Sequence, residues 1–450
     1  MFPLNSNATI REHLEIFLKT NHMTLNQFSE ISGVNSGTLS GTLNGSRPIG
    51  MQQLDRITKG MGLEEGYFYD LYIQECFVHS GPDWRRLRPF LYRCAELDKV
   101  EYMEEAVNLI MDNLSYAPLL FELAEQLYHE GRLIAARPLY RCVAESEKMQ
   151  HSERLALSQY RLFTIGLSKD QMSNLALATQ FEFFVDRLDE PYQLDGLNDL
   201  INVYASLRLW DKVRTFAEQL KLKAMIQYEL NKKAKVVEHT SKKQVLFYVF
   251  YADLALGEVC YFYEEYGEAL QFVDSYADAT WVTNPTEEEN VVIHQFAEWA
   301  EGNRYLYELM SGKTEVIQYY LNYISKRESE IFPALCAIVT AANRFDINID
   351  LVLNEYEPYI IDQEQNSRIG KISEQYTNDQ YGALLINLGK YYLMRERYNR
   401  GYKAILNGLD FAIRIRNKDG ILDCIKEFEK FRDYALEEVK LRYSQLIQEV

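Results

Sequence analysis

The side chains most able to do catalytic or metal chemistry are scattered in this sequence. Its seven histidines (His13, His22, His79, His129, His151, His239, His294) show no HExxH and no paired ligand spacing. Its six cysteines (Cys76, Cys94, Cys142, Cys260, Cys336, Cys424) include no CxxC and read as packed thiols. There is no Walker loop, no GxGxxG after a strand and no GxSxG elbow. The paired carboxylates Glu264 and Glu265 and the run "TEEEN" at 286–290 fall in acidic, helix-rich context, where solvated faces are the expectation. The sequence therefore predicts a protein that is not an enzyme, with no catalytic residues, no metal and no cofactor.

What the chain offers instead is amide and hydroxyl chemistry. Asn198 and Asn202 stand four apart, so on a helix both amides point the same way, with Asp199 beside them. An asparagine presents donor and acceptor together, which suits clamping the backbone of an extended peptide. The stretch "VNSGTLSGTLNGSRP" (34–48) has the rhythm of a DNA-reading helix and its turn, yet Arg47 is its only cation. A third feature is a lysine run over 221–243: Lys221, Lys223, Lys232, Lys233, Lys235, Lys242 and Lys243 against Glu229 and Glu238. It reads as a solvated extension, with contact to phosphates or to an acidic partner as the sharper alternative.

These residues need helices to position them. Apolar residues make up 47% of the 450, with only 10 Pro and 22 Gly, which favours long helices over sandwiches or barrels. The N-terminus lacks a basic lead before an apolar run, and no stretch approaches the ~20 apolar residues of a span. The expectation is a cytoplasmic protein with no membrane partner. Net charge is −18, but residues 1–63 are about neutral, with five Lys/Arg against four acids. All 33 tyrosines follow residue 66. That contrast sets the expected domains: 1–63, a coupling helix or linker over 64–83, and a large unit over 84–450.

The small unit parses as five helices. Residues 8–20 carry Ile10, Leu14, Phe17 and Leu18 at helical spacing. Thr24 with Gln27 forms a capping box for the second helix, which Gly33 stops. Asn35 caps a third helix that ends at Asn44-Gly45, and 51–61 and 64–76 supply the last two. In the large unit, "LLINLGKYYLMRERYNRGYKAILNG" (384–408) places Leu385, Leu388, Gly389 and Tyr392 on one helix and Gly401, Ile405 and Gly408 on the next. That is the size pattern of a tetratricopeptide helix pair. Imperfect copies surround Leu120–Tyr140, Leu197–Val213, Leu256–Ala269 and Tyr307–Val316, spaced by roughly forty residues or multiples of it. The expected fold class is all-α: a small helix-turn-helix domain followed by an α-solenoid of eight or nine tetratricopeptide-like pairs. On this repeat alignment Asn198, Asp199, Asn202, Asn387 and Lys390 fall at inward positions and hold peptide, the alternative being asparagines that face solvent or satisfy neighbouring helices.

"TLNQFSEISGVNSGTLSGTLNGSRP" (24–48) resembles the helix-turn-helix of the Cro and Xre repressor family. Phe28, Ile31, Val34, Leu39 and Leu43 stand where that family keeps internal apolar contacts, Gly33 matches its turn glycine, and Asn44-Gly45 the end of its recognition helix. The resemblance assigns DNA contact to Thr24, Asn35, Ser36, Gly37, Thr38, Ser40, Gly41, Asn44 and Arg47. Ser36, Gly37, Ser40 and Gly41 fall at the family's base-reading positions without the bidentate fork that discriminates bases best. Leu25 replaces the family's frequent phosphate-binding Gln. Such a head followed by degenerate tetratricopeptide repeats resembles the RRNPP peptide-pheromone receptors of Gram-positive bacteria: Rgg, NprR, PlcR, PrgX and the phage arbitrium receptors. The resemblance implies a homodimer, a short signalling peptide in the repeat groove, and peptide-controlled binding to duplex DNA at an inverted repeat. The rival reading is a peptide-gated adaptor that sequesters another protein and keeps a vestigial head.

Overall fold

The computed structural model describes residues 8–79, 81–111, 113–150, 152–234, 241–360 and 374–449. Lys235, Glu238, His151 and His239 lie outside them. The described residues are all helix and turn, with no strand, and they fall into two compact units. The first is Met1–Gly166 with Phe184–Leu188; the second is Leu167–Phe183 with Asp189–Val450.

The first unit opens with four short helices, α1 (Ile10–Thr20), α2 (Leu25–Ser32), α3 (Ser36–Leu43) and α4 (Met51–Gly60). Their ends are set locally. Thr9 and Glu12 close a capping box on α1. On α2 the Thr24 hydroxyl accepts from Gln27 N at 3.3 Å while Gln27 Oε1 accepts from Thr24 N at 2.8 Å. Gly33 then turns the chain with φ of 67°, a left-handed conformation that glycine adopts without a Cβ penalty. Asn35 Oδ1 accepts from Gly37 N at 2.9 Å and starts α3. Leu14, Leu18, Phe28, Val34, Leu39 and Ile57 form the core of this head.

Ile31 does not join it. Its side chain is 55% exposed, and Ser32 takes the inward place on α2. The reason is close packing: a Cβ on Gly60 would sit 2.8 Å from that of Ser32, so α4 leaves room only for a small residue there.

The expected helix over 64–76 is also shorter than its apolar spacing suggests. Gly66 has φ of 83°, which keeps 64–67 in turns, and α5 runs only over Tyr69–Ile73 before a π-helical turn at Gln74–Val78. The head is instead fixed by a shared core. Ile10, Ile49, Met51 and Leu54 pack in one cluster with Phe68, Tyr72, Phe90 and residues as far as Val143. This cluster draws on α6 (Trp84–Glu96), α7 (Val100–Asn108), α8 (Ala117–His129) and α9 (Leu133–Ser146), and α10 (Glu153–Gly166) completes the unit. Polar ties reinforce it. Arg93 reaches Asp55 and Glu65 at 2.9 Å each, Tyr72 Oη donates to Ile49 O at 3.2 Å, and Glu75 Oε1 accepts from Ile10 N at 2.7 Å. The compact unit that contains the head thus extends to Gly166.

The second unit holds α11 (Gln171–Phe181), α12 (Glu190–Ser206), α13 (Trp210–Ala234), α14 (Val245–Phe262), α15 (Tyr266–Ala277), α16 (Glu287–Met310), α17 (Ile317–Ile324), α18 (Glu328–Phe345), α19 (Asp350–Glu355), α20 (Glu374–Met394), α21 (Tyr398–Arg414), α22 (Lys418–Lys430) and α23 (Glu437–Ile447). Consecutive helices pack in pairs, as α12 with α13, α14 with α15, and α20 with α21, while α12, α14, α16, α18, α20 and α22 touch in succession as one row. This is a solenoid-like arrangement in which each pair buries its apolar face against the next. Most pairs turn on one left-handed residue, Asp98 and Gly131 in the first unit and Arg208, Glu264, Gly312, Asp346 and Glu396 in the second, whereas the α22–α23 turn holds none.

The small positions do what the repeat pattern predicts. A Cβ on Gly401 would lie 2.6 Å from Leu393 Cγ and 3.1 Å from Leu393 N, and one on Gly389 would collide with the Ile405 side chain. α14 qualifies the expectation about spans: its 18 residues have the length and mean hydropathy of one, but 78% of them are buried among their neighbours. Gly401→Ala should destabilise the second unit by ~1–3 kcal/mol through overpacking. Gly267→Ala, at a helical position with nothing within 4 Å, should be neutral or stabilise by up to ~1 kcal/mol. Urea denaturation of both variants checks the opposite signs.

Candidate DNA-contact face and repeat groove

On the head, Thr24, Asn35, Gly37, Ser40, Asn44 and Arg47 are exposed, and Ser36 and Thr38 are half-buried. Gly41 departs from the expectation because it is buried. Its carbonyl accepts from Ser46 Oγ at 3.2 Å and from Arg47 N at 3.1 Å, and a Cβ there would lie 3.2 Å from Arg47 Cδ. The turn after α3 therefore folds back over Gly41, and the Arg47 stem covers it. The face left to meet a ligand is made of hydroxyls, one amide at each end of α3, and the Arg47 guanidinium. Of the other cations, Lys19 pairs with Glu15 at 2.7 Å, and Arg56 donates to Gly33 O at 3.1 Å. Such a face can hydrogen-bond phosphates and approach a groove closely, but it carries little net charge.

The second unit places the expected peptide residues in two groups. Asn198, Asp199 and Asn202 lie on α12, and Asn387 and Lys390 on α20. Most of these side chains already serve neighbouring helices. Tyr251 Oη of α14 donates to Asn202 Oδ1 at 2.7 Å, and Lys242 Nζ reaches Asp199 at 3.0 Å. Asn387 Nδ2 donates to Thr340 Oγ1 on α18 at 3.4 Å, and its main-chain O accepts from Asn343 Nδ2 at 2.8 Å. Asn198 Oδ1 differs, being buried with no hydrogen-bond partner among the described residues.

One side-chain contact reaches from α12 across to a late helix of the row. Arg208, in the turn after α12, lies 3.9 Å from Asp379 on α20, and a cavity of about 190 Å³ opens beside them. Asn387, Asn417, Asp419 and Asp423 share its lining. Asn417 Nδ2 donates to Asp379 Oδ1 at 2.8 Å while its own oxygen caps α22. Burial raises the Asp379 carboxyl above its usual range, against the pull of Arg208 and the Asn417 hydrogen bond. Of the residues expected from sequence, only Asn387 reaches this cavity. Arg208 and Asp379 stand far apart in the chain, and no local signal marks either.

Three lysines of the run are engaged by other helices, while Lys233 and Lys243 are exposed. Lys221 pairs with the buried Asp253 on α14, and Lys232 lies 3.3 Å from Glu289 on α16. Lys242 N donates to the buried Asp195 at 3.1 Å, and Tyr248 Oη donates to the same carboxylate. Burial raises the carboxyls of Asp195 and Asp253 despite these partners. Among the described residues one group has donors close enough to share a metal: Cys260, Glu265 and Glu268, within 4.8 Å of one another. Burial pushes the Cys260 thiol up, and Glu265 lies 3.6 Å from Arg214, so the donor set is already partly engaged.

No protein-family model matches the chain, and no curated protein matches it in sequence. The fold and the two faces therefore carry the functional argument. They also change what the asparagines should do when removed. Asn202→Ala should cost ~0.5–1.5 kcal/mol of stability, because Tyr251 loses an acceptor across two helices. Asn198→Ala, whose oxygen has no bond to lose, should cost less than ~0.5 kcal/mol. Chemical denaturation of the two variants side by side measures the difference.

Proposed function

We propose that this chain is a homodimeric, cytoplasmic transcriptional regulator whose binding to duplex DNA is controlled by a short signalling peptide. The observation that carries the reading is the α2–turn–α3 geometry. A capping box at Thr24, a left-handed Gly33 and an Asn35 cap together present Asn35, Gly37, Ser40, Asn44 and Arg47 on one small exposed segment. The packed helix row of the second unit supports the peptide half of the proposal. Its groove-side amides and carboxylates are held by internal partners that a peptide backbone replaces: Tyr251 at Asn202, Lys242 at Asp199 and Arg208 at Asp379. A ligand that exchanges these bonds binds one curvature of the row better than another, which is the condition for a population shift.

The covered Gly41 and the absence of a bidentate reader at Ser36, Gly37 and Ser40 favour a second reading, a peptide-gated adaptor with a vestigial head. Genome-wide binding decides between them. The regulator reading expects sites that share an inverted repeat, and sites with no common palindrome would leave only the adaptor. Because the head is nearly neutral, binding should show a shallow salt slope. Arg47→Ala should weaken binding to all sequences about equally, as loss of a phosphate contact does. Titrating the variant against a panel of single-base operator changes checks this, and a selective loss at one base pair would contradict the phosphate role.

A further inference from the structure

α13 carries an apolar stripe that its own unit leaves open. Leu222, Ile226 and Leu230 recur every fourth residue and are 64%, 52% and 51% exposed. The rotation of the helix is fixed from the other side, where Lys221 and Lys232 are drawn to Asp253 and Glu289. On α15 and α21 the corresponding faces are polar, with Glu268, Gln271 and Asp274 on the first and Arg400, Lys403 and Asn407 on the second, while α17 and α19 expose only single apolar side chains, Tyr319 and Leu351. A row of large aliphatic side chains at one such face, among polar ones, marks a contact surface.

We infer that this stripe is where two copies of the chain meet, with α13 packing antiparallel to itself about a twofold axis at Ile226. A twofold contact must be self-complementary, and the sequence meets that demand in this register. Leu222 of one copy falls in a layer with Leu230 of the second, and Ile226 meets Ile226. Glu218 comes within one residue of the level of Lys233 of the second copy, a rise of ~1.5 Å that both long side chains span, twice over, and both residues are exposed. A parallel pairing sets Glu218 against Glu218 and forfeits that match. Three aliphatic side chains per copy are a small fraction of the ~800 Å² that each partner buries in a standard interface, so the dimer is reversible and concentration-dependent. This gives a surface to the homodimer of the proposed function but needs neither DNA nor peptide, so it is tested without them.

Sedimentation velocity on the full chain over a concentration series should show a monomer–dimer equilibrium. Ile226→Glu should weaken it at least tenfold with the circular dichroism unchanged. Glu218→Lys should weaken it more mildly, and the double exchange Glu218→Lys with Lys233→Glu should restore it. In a separate arm, Ile226→Cys should cross-link to its own copy with a short bismaleimide, whereas Gln271→Cys on α15 should not. A wild-type chain that stays monomeric, or a dimer that survives Ile226→Glu, overturns the inference. Failure of the double exchange to restore association overturns the antiparallel register. A failed search for an operator leaves these results standing, and a monomer that still binds an inverted repeat leaves the DNA reading standing.

Discussion

A carboxylate taken out of water in a helix row must be met by a donor, and in the second unit three such groups decide where a long stretch of chain runs. Asp195, Asp253 and Glu289 are buried on α12, α14 and α16, successive members of the row. Each takes a lysine from α13 or the segment after it, respectively the Lys242 main chain, Lys221 and Lys232. Truncating Lys221 or Lys232 leaves a buried carboxylate without its charged partner, so these contacts tie α13 to the row beyond its apolar packing. They also set its rotation. Lys221 and Lys232 are eleven residues apart and share a face, which leaves Leu222, Ile226 and Leu230 on the other side.

Local chemistry made the head legible in the sequence. The capping box at Thr24, the stop at Gly33 and the Asn35 cap each depend on residues within four positions, and all three stand as read. Ile31 and Gly41 were misplaced because their environments come from elsewhere: α4 pressing on Ser32, and the 44–47 turn folding back over α3. In the repeats, Gly389 and Gly401 marked true close approaches, because a missing side chain leaves a trace in one letter. The lysine run misled for the opposite reason. Its partners lie about 30 to 60 residues away on other helices, and charge in a sequence window does not reveal what it faces.

The groove was legible in part. Helical spacing placed Asn198 and Asn202 on one helix and the repeat pattern placed Asn387 in a corresponding one, and Asn387 does line the cavity. That Asn202 is held by Tyr251, and Asp199 by Lys242, follows from which helix comes next in the row, which spacing alone cannot show. Arg208 and Asp379 were silent because curvature, a property of many pairs together, brings them within reach.

Arg208 serves two masters. As the hinge residue of the turn between α12 and α13 it holds φ at 58°, a conformation glycine adopts more cheaply than any side-chain-bearing residue. As the basic group beside Asp379 it reaches from this turn to α20, which glycine cannot do. Backbone ease and side-chain reach therefore select different amino acids at one position. Arginine at this turn trades backbone ease for a side chain that reaches α20, whereas Asp98, Glu264, Asp346 and Glu396 hold the same left-handed backbone without that second contact.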